Sequence, residues 1–219
     1  MTDLSGTLHA ASAAPAAGFE TTSPEERAAI LGWLAGFFAA PPTAAVIAAH
    51  RRTAGRAFFD EIEAFPDLAP GLHRIRAALA VEVDDATLAA AFERVFGLLF
   101  LGIGGPGTVA PYESAHSGDG RLFQEPTAAM NRLLAAHDLA VAVGEPADHV
   151  AIEAMLLARL VETRHPDRAA LAERLDGWVP GFAERLAACD PTGLFAGAAD
   201  ALAATVRRER ALQILETRI

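Results

Sequence analysis

Glu145, Asp148, His149 and Glu153 stand at spacings that a helix would gather onto one side. At about 100° per residue they fall within one arc of under half the circumference. They would form one polar patch opening an otherwise apolar segment that carries Ile152, Met155, Leu156, Leu157, Leu160 and Val161. Carboxylates beside an imidazole are the residue types of acid–base work, and paired carboxylates match the fork of a guanidinium. A structural use is equally open, since Pro in a first helical turn loses no hydrogen bond there and acids offset the positive end of the helix dipole. His149 and Glu153 could share a metal, but such a site needs three or more ligands and the HExxH pattern is missing, so no metal is expected.

Other candidates carry less. Ser114 close to His116 suggests a nucleophile and base, but sequence neighbours rarely meet triad geometry and no Gly-x-Ser-x-Gly elbow is present. The glycines from Gly102 to Gly107 lack the Lys-Ser/Thr of a phosphate loop. No catalytic residue and no cofactor are therefore assigned.

The elements that must position these residues all read as helices. Ser23-Pro24-Glu25-Glu26 combines an N-cap, a first-turn Pro and a capping-box Glu ahead of Ile30, Trp33, Leu34, Phe37 and Phe38. Short helices are expected from about Ala44 to Arg52, Arg56 to Phe65 and Gly71 to Val81. Asp84-Asp85 starts another, with Leu88, Phe92, Val95, Phe96 and Leu99 on one face. Leu98, Phe100 and Leu101 give that helix a second apolar side, more than one core stripe uses, which is expected to line a groove. An irregular loop follows from Gly102 to Pro111, Glu125-Pro126 opens the next helix, and Asp138 to Gly144 leads to the apolar central one. Pro180-Gly181 should kink or split the pattern of Leu171, Leu175, Trp178, Phe182 and Leu186, and a last helix runs from about Leu194 to Glu216. The expectation is an all-α, single-domain bundle of about nine or ten helices over residues 23–219, preceded by a disordered tail over residues 1–22.

Composition bounds the partners. Eighteen basic residues, all Arg, against 28 acids give a net charge of −10, which disfavours nucleic acid and favours a basic partner. Although 52% of the chain is apolar, no run of about 18 apolar residues could cross a bilayer. The N-terminus lacks the basic start and continuous apolar core of a secretory signal. The single cysteine, Cys189, permits no internal disulfide and agrees with a reducing cytoplasm.

Leu99-Phe100-Leu101-Gly102, then Pro111-Tyr112-Glu113-Ser114, then Glu125-Pro126-Thr127, then Glu145-Pro146-x-Asp148-His149 with Glu153, form an ordered series, with Trp178, Pro180, Phe182 and Phe195 downstream. In order and spacing it resembles the TorD/DmsD-like cytoplasmic maturation chaperones of molybdenum oxidoreductases, over roughly residues 24 to 215. One departure is Leu98, where some members carry an aromatic. The resemblance implies binding of a twin-arginine signal peptide and of the apo molybdoenzyme, delaying export until the cofactor is inserted, with the cofactor-insertion machinery as a further partner. Glu145, Asp148 and Glu153 would then meet arginines and Pro146 would fix the helix entry. His149 would orient Asp148 or sense pH, and Tyr112, Ser114, Leu98, Phe100 and Leu101 would meet the rest of the peptide. The alternatives are an assembly chaperone of the nitrate-reductase type and a helical enzyme using Asp148, His149 and Glu153. A monomer is expected, with a minor dimer formed by exchange of C-terminal helices across the Asp138–Gly144 linker.

Overall fold

The computed structural model describes residues 22–216 apart from 103, 104, 106, 118, 119 and 143, and side chains as far as residue 213. The tail expected over residues 1–22 lies outside the described residues, except for Thr22. Eleven helices follow one another: α1 (Pro24–Ala39), α2 (Ala44–Arg51), α3 (Thr53–Ile62), α4 (Ala69–Leu79), α5 (Asp85–Phe100), α6 (Glu113–His116), α7 (Glu125–Ala136), α8 (Val150–Glu162), α9 (Arg168–Asp176), α10 (Val179–Cys189) and α11 (Leu194–Glu216). No strand occurs among the described residues, so the all-α expectation stands, with one or two more short helices than the sequence suggested.

Local chemistry explains the boundaries. Ser23 Oγ accepts from the Glu26 N–H at 3.1 Å while Glu26 accepts from the Ser23 N–H at 2.8 Å, the reciprocal pairing that starts α1. Asp84 caps α5 by accepting from the Thr87 N–H at 2.9 Å. Pro180 divides the C-terminal pattern as expected: α9 ends at Asp176, and α10 takes the proline in its first turn.

Two helices organise the core. α8 buries Val150, Ala154, Leu156, Leu157, Leu160 and Val161 and packs along α1, leaving Met155 and Arg159 to solvent. α11 packs on α1, α4, α9 and α10. At its crossing with α4 the backbones touch: a Cβ added to Gly197 would lie 2.6 Å from the Gly71 carbonyl oxygen. Beside it, Phe38, Phe92, Phe96, Phe100, Phe182 and Phe195 make an aromatic cluster with centroids 4.9–6.5 Å apart. Phe100 is therefore core, 7% exposed, and not the groove residue expected from sequence. Its position on α5 turns it toward Phe195 while its neighbours Leu98 and Leu101 face outward, 64% and 72% exposed.

Candidate functional site

The segment from Glu145 to His149 is not the first turn of α8, as the sequence reading had it. It is non-helical chain that turns at Ala147 and Asp148 and pairs at His149. Tyr112 and His149 form an antiparallel bridge in which the Glu113 N–H donates to the Asp148 carbonyl at 3.0 Å and the Val150 N–H to the Pro111 carbonyl at 2.8 Å. Pairing with the Pro111-Tyr112-Glu113 strand-like stretch satisfies backbone groups that a helix would otherwise have used. α8 consequently begins at Val150, with His149 as N-cap, its Nδ1 accepting from the Ala151 N–H at 3.1 Å.

Asp148 locks this bridge from beneath. It is fully buried, and its two carboxylate oxygens accept from the Ser114 N–H at 2.9 Å and from the Thr127 hydroxyl at 2.6 Å. One side chain thus joins the start of α6, the start of α7 and the entry to α8. Glu153, one turn into α8, is equally buried and accepts from the Trp178 indole N–H at 3.1 Å. Arg174 of α9 lies between acids: Nε is 3.4 Å from Glu153, Nη2 contacts Glu113, and Nη2 also donates to the Pro126 carbonyl at 2.7 Å. Among the described residues, Ser114, Thr127, Asp148 and Glu153 are half of the buried polar side chains, so this knot is where the fold has invested its internal polarity.

The electrostatics follow from burial. Desolvation pushes the Glu153 carboxyl well above its ordinary range, with Arg174 opposing and the Glu113 charge reinforcing. Glu113 is raised for the same first reason, moderated by Arg174. Glu153 is displaced the further of the two, being fully buried and facing the Glu113 charge. Burial holds His149 down to about 4, against the attraction of Asp148. Its ring packs edge-on against Tyr112 with centroids 5.0 Å apart, and the Tyr112 phenol is itself raised by burial, Glu145 and Asp148.

Asp148 and Glu153 therefore do not line an open surface, and a guanidinium of a bound peptide cannot reach them in this conformation. Glu145 is exposed at the rim, Tyr112 and His149 are half-buried beside it, and Pro146 is buried under them. Leu98, at the outer end of α5, lines a groove of about 450 Å³ with Val95, Leu99, Thr108, Cys189 and Pro191, and Leu101 is exposed outside that lining. The Val109 N–H donates to the Leu99 carbonyl at 2.8 Å, so the chain leading to Tyr112 departs directly from that apolar end. Ser114 and His116 do not pair. Ser114 Oγ has no hydrogen-bond partner, and His116 Nε2 faces the Ala110 carbonyl at 2.7 Å.

Sequence reasoning missed Thr127, Arg174 and Trp178. A signal existed: an acid on the inward side of an apolar helix requires a donor, and Arg174 and Trp178 sit in register with Leu171 and Leu175. It also missed Phe123, which is 62% exposed on the loop between α6 and α7 and holds a left-handed φ of 58°, a costly backbone for an aromatic residue.

The chain matches the family described as nitrate reductase delta subunit over residues 65–184, more than half its length. It is 30% identical over 203 residues to a chaperone protein TorD of Vibrio cholerae serotype O1, covering 85% of this chain and 91% of the relative. A chaperone protein TorD of Vibrio vulnificus is 32% identical over 198 residues, 82% of this chain and 91% of the relative. One of Ferrimonas balearica is 32% identical over 187 residues, 77% of this chain and 86% of the relative.

Proposed function

Because this chain belongs to the nitrate reductase delta subunit family, the family of the TorD chaperones, we propose that it holds the twin-arginine signal peptide of an apo molybdenum oxidoreductase and so delays export until the cofactor is in place. The broader role, a chaperone of redox-enzyme maturation and not an enzyme, follows from that membership. The observation that carries the finer reading is the rigid rim. Asp148, spent on internal bonds, fixes a bridge that offers Glu145 and Tyr112 on the chain that leaves the end of α5, where Leu98 and Leu101 are exposed. A signal peptide has the complementary order, an arginine pair followed by an apolar segment. Its arginines would meet Glu145 and the Tyr112 hydroxyl, and its apolar segment would lie over Leu98 and Leu101, with Phe123 as a second anchor. Pro146, Ser114, His149, Glu153 and Asp148 are then positioning residues. Phe100 supports the site from the core.

The relative size of these contacts decides what to measure. An exposed ion pair contributes about 0.2–1 kcal/mol, whereas burying a leucine contributes about 1.5–3 kcal/mol. Calorimetric titration with a twin-arginine peptide should therefore show Leu101→Ser losing roughly tenfold or more in affinity and Glu145→Gln losing up to about fivefold, the latter only at low salt. Equal affinity of wild type and both variants would remove the rim from the site.

The family description favours one second reading, in which the client is a nitrate reductase assembled without export. In that case a client lacking twin arginines binds as well as one that carries them.

A further inference from the structure

Away from this rim, the C-terminal ends of α7 and α8 bring together His137, His165 and Asp167. One donor atom from each lies within 4.8 Å of the other two. His137 Nε2 is 3.0 Å from Asp167 Oδ2, His165 Nδ1 is 3.7 Å from the same oxygen, and the two imidazoles meet edge-to-face with centroids 4.6 Å apart. We infer that these three side chains form a binding site for a divalent transition ion of the zinc class, with a fourth position open to solvent.

The distances suit that ion. Tetrahedral zinc with bonds of about 2.0–2.1 Å holds its ligands roughly 3.3 Å from one another. The observed 3.0 and 3.7 Å from the Asp167 oxygen straddle that value, and with all three donors within 4.8 Å of one another the rings would draw together around the ion. Two imidazoles and one carboxylate are the donor set of open zinc sites, which leave the fourth place to water or to a ligand from outside. His137 is largely covered, at 12% side-chain exposure, whereas His165 and Asp167 are 41% and 43% exposed, so the open position faces solvent.

Backbone geometry aims the rings. His137 ends α7 and is followed by Asp138 at φ 56°. His165 follows Arg164 at φ 52°, just beyond the end of α8. Both turns close in the Schellman manner, the Leu139 N–H donating to the Leu134 carbonyl at 2.9 Å and the His165 N–H to the Leu160 carbonyl at 2.8 Å. Each uses a residue other than glycine at the left-handed position, a cost the fold carries at both histidines. The negative ends of the α7 and α8 dipoles lie at the cluster opposite the positive end of α9, which Asp167 caps, so its preference for a cation rests on the carboxylate and the two imidazoles. The opposing charge of Arg168 is occupied, Nη1 donating to the Arg164 carbonyl at 2.8 Å and to the His165 carbonyl at 3.3 Å. The Asp167 N–H donates to His165 Nδ1 at 3.2 Å, a long bond that metal ligation would replace.

The test uses the full chain without a polyhistidine tag, titrated with Zn²⁺ by calorimetry and with Co²⁺ by visible absorption. One ion per chain is expected, with the intense visible bands of tetrahedral cobalt. His137→Gln, His165→Gln and Asp167→Asn should each weaken binding by at least the roughly 10–100-fold that loss of a mere second-sphere partner costs. His73→Gln, changing an exposed histidine elsewhere on the surface, should leave it unchanged. Zn²⁺ should raise the melting temperature of wild type and of His73→Gln, but not of the three ligand variants, whose circular dichroism should remain that of wild type. Absence of one-to-one binding, or binding that survives all three ligand substitutions, overturns the site. A ligand variant that unfolds is replaced by Asp167→Glu, which keeps the donor and should keep the cobalt bands.

Discussion

At the residue scale, the buried Asp148 decides more than any exposed group. Replacing it by Asn keeps the shape but puts an amide N–H where one donor expects an acceptor, so Asp148→Asn should lose about 3 kcal/mol in urea denaturation at neutral pH. The loss should appear in the absence of any peptide, which distinguishes a positioning residue from a peptide ligand. His149 makes a complementary prediction about pH. Unfolded histidine takes up its proton near 6.5, whereas folded His149 does so only at about 4. Acid therefore favours the unfolded chain in that window, and the stability present above pH 6.5 drains as pH falls toward 4, by about 3 kcal/mol. His149→Asn keeps an N-cap acceptor and removes the titration, so its stability measured across that range should fall less than wild type by that amount. Glu153 works in the other direction. Its carboxyl holds a proton above the ordinary range, so what it contributes is complete below pH 4.5 and lost as pH rises through its folded value.

At the scale of elements, most of the architecture was legible because helix punctuation is local. Ser23 with Glu26, Asp84 with Thr87, and Pro180 each act within one turn, and each boundary fell where those residues placed it. The entry to α8 was misread because its determinant is not local: Asp148, His149 and Val150 pair with Pro111–Glu113, a partner more than thirty residues away that periodicity cannot reveal. Phe100 was misplaced for a related reason, since an aromatic beside two exposed leucines declares its side only once Phe195 has packed against it. The α4–α11 crossing supplies a prediction against the usual rule. Alanine is about 1 kcal/mol better than glycine within a helix, yet Gly197→Ala would place a methyl 2.6 Å from the Gly71 carbonyl and 2.8 Å from the Arg74 Cβ. Backbone cannot yield as a side chain does, so the variant should be destabilised by about 1–3 kcal/mol in thermal or urea unfolding.

At the scale of the whole molecule, the net charge of −10 and the exposed apolar end of α5 would act together on the basic, partly apolar partner proposed above. Raising the salt should slow association with such a partner more than it speeds dissociation, as stopped-flow mixing at two ionic strengths would show. The packing of α1 has a further consequence, for the order in which this protein is made. Much of α1 packs on α8 and α11, while Phe38 meets Phe100 and Phe182, and Phe37 meets His50. Val150 leaves the ribosome roughly 110 residues after Ala39, some 5–20 s at ordinary elongation rates, and α11 comes later still. For that interval the part of α1 that packs on α8 and α11 stands without those partners, although His50, Phe58 and Phe59 are already made to cover Trp33. A chaperone of redox-enzyme maturation thus leaves part of its own first helix uncovered until its later helices have been made.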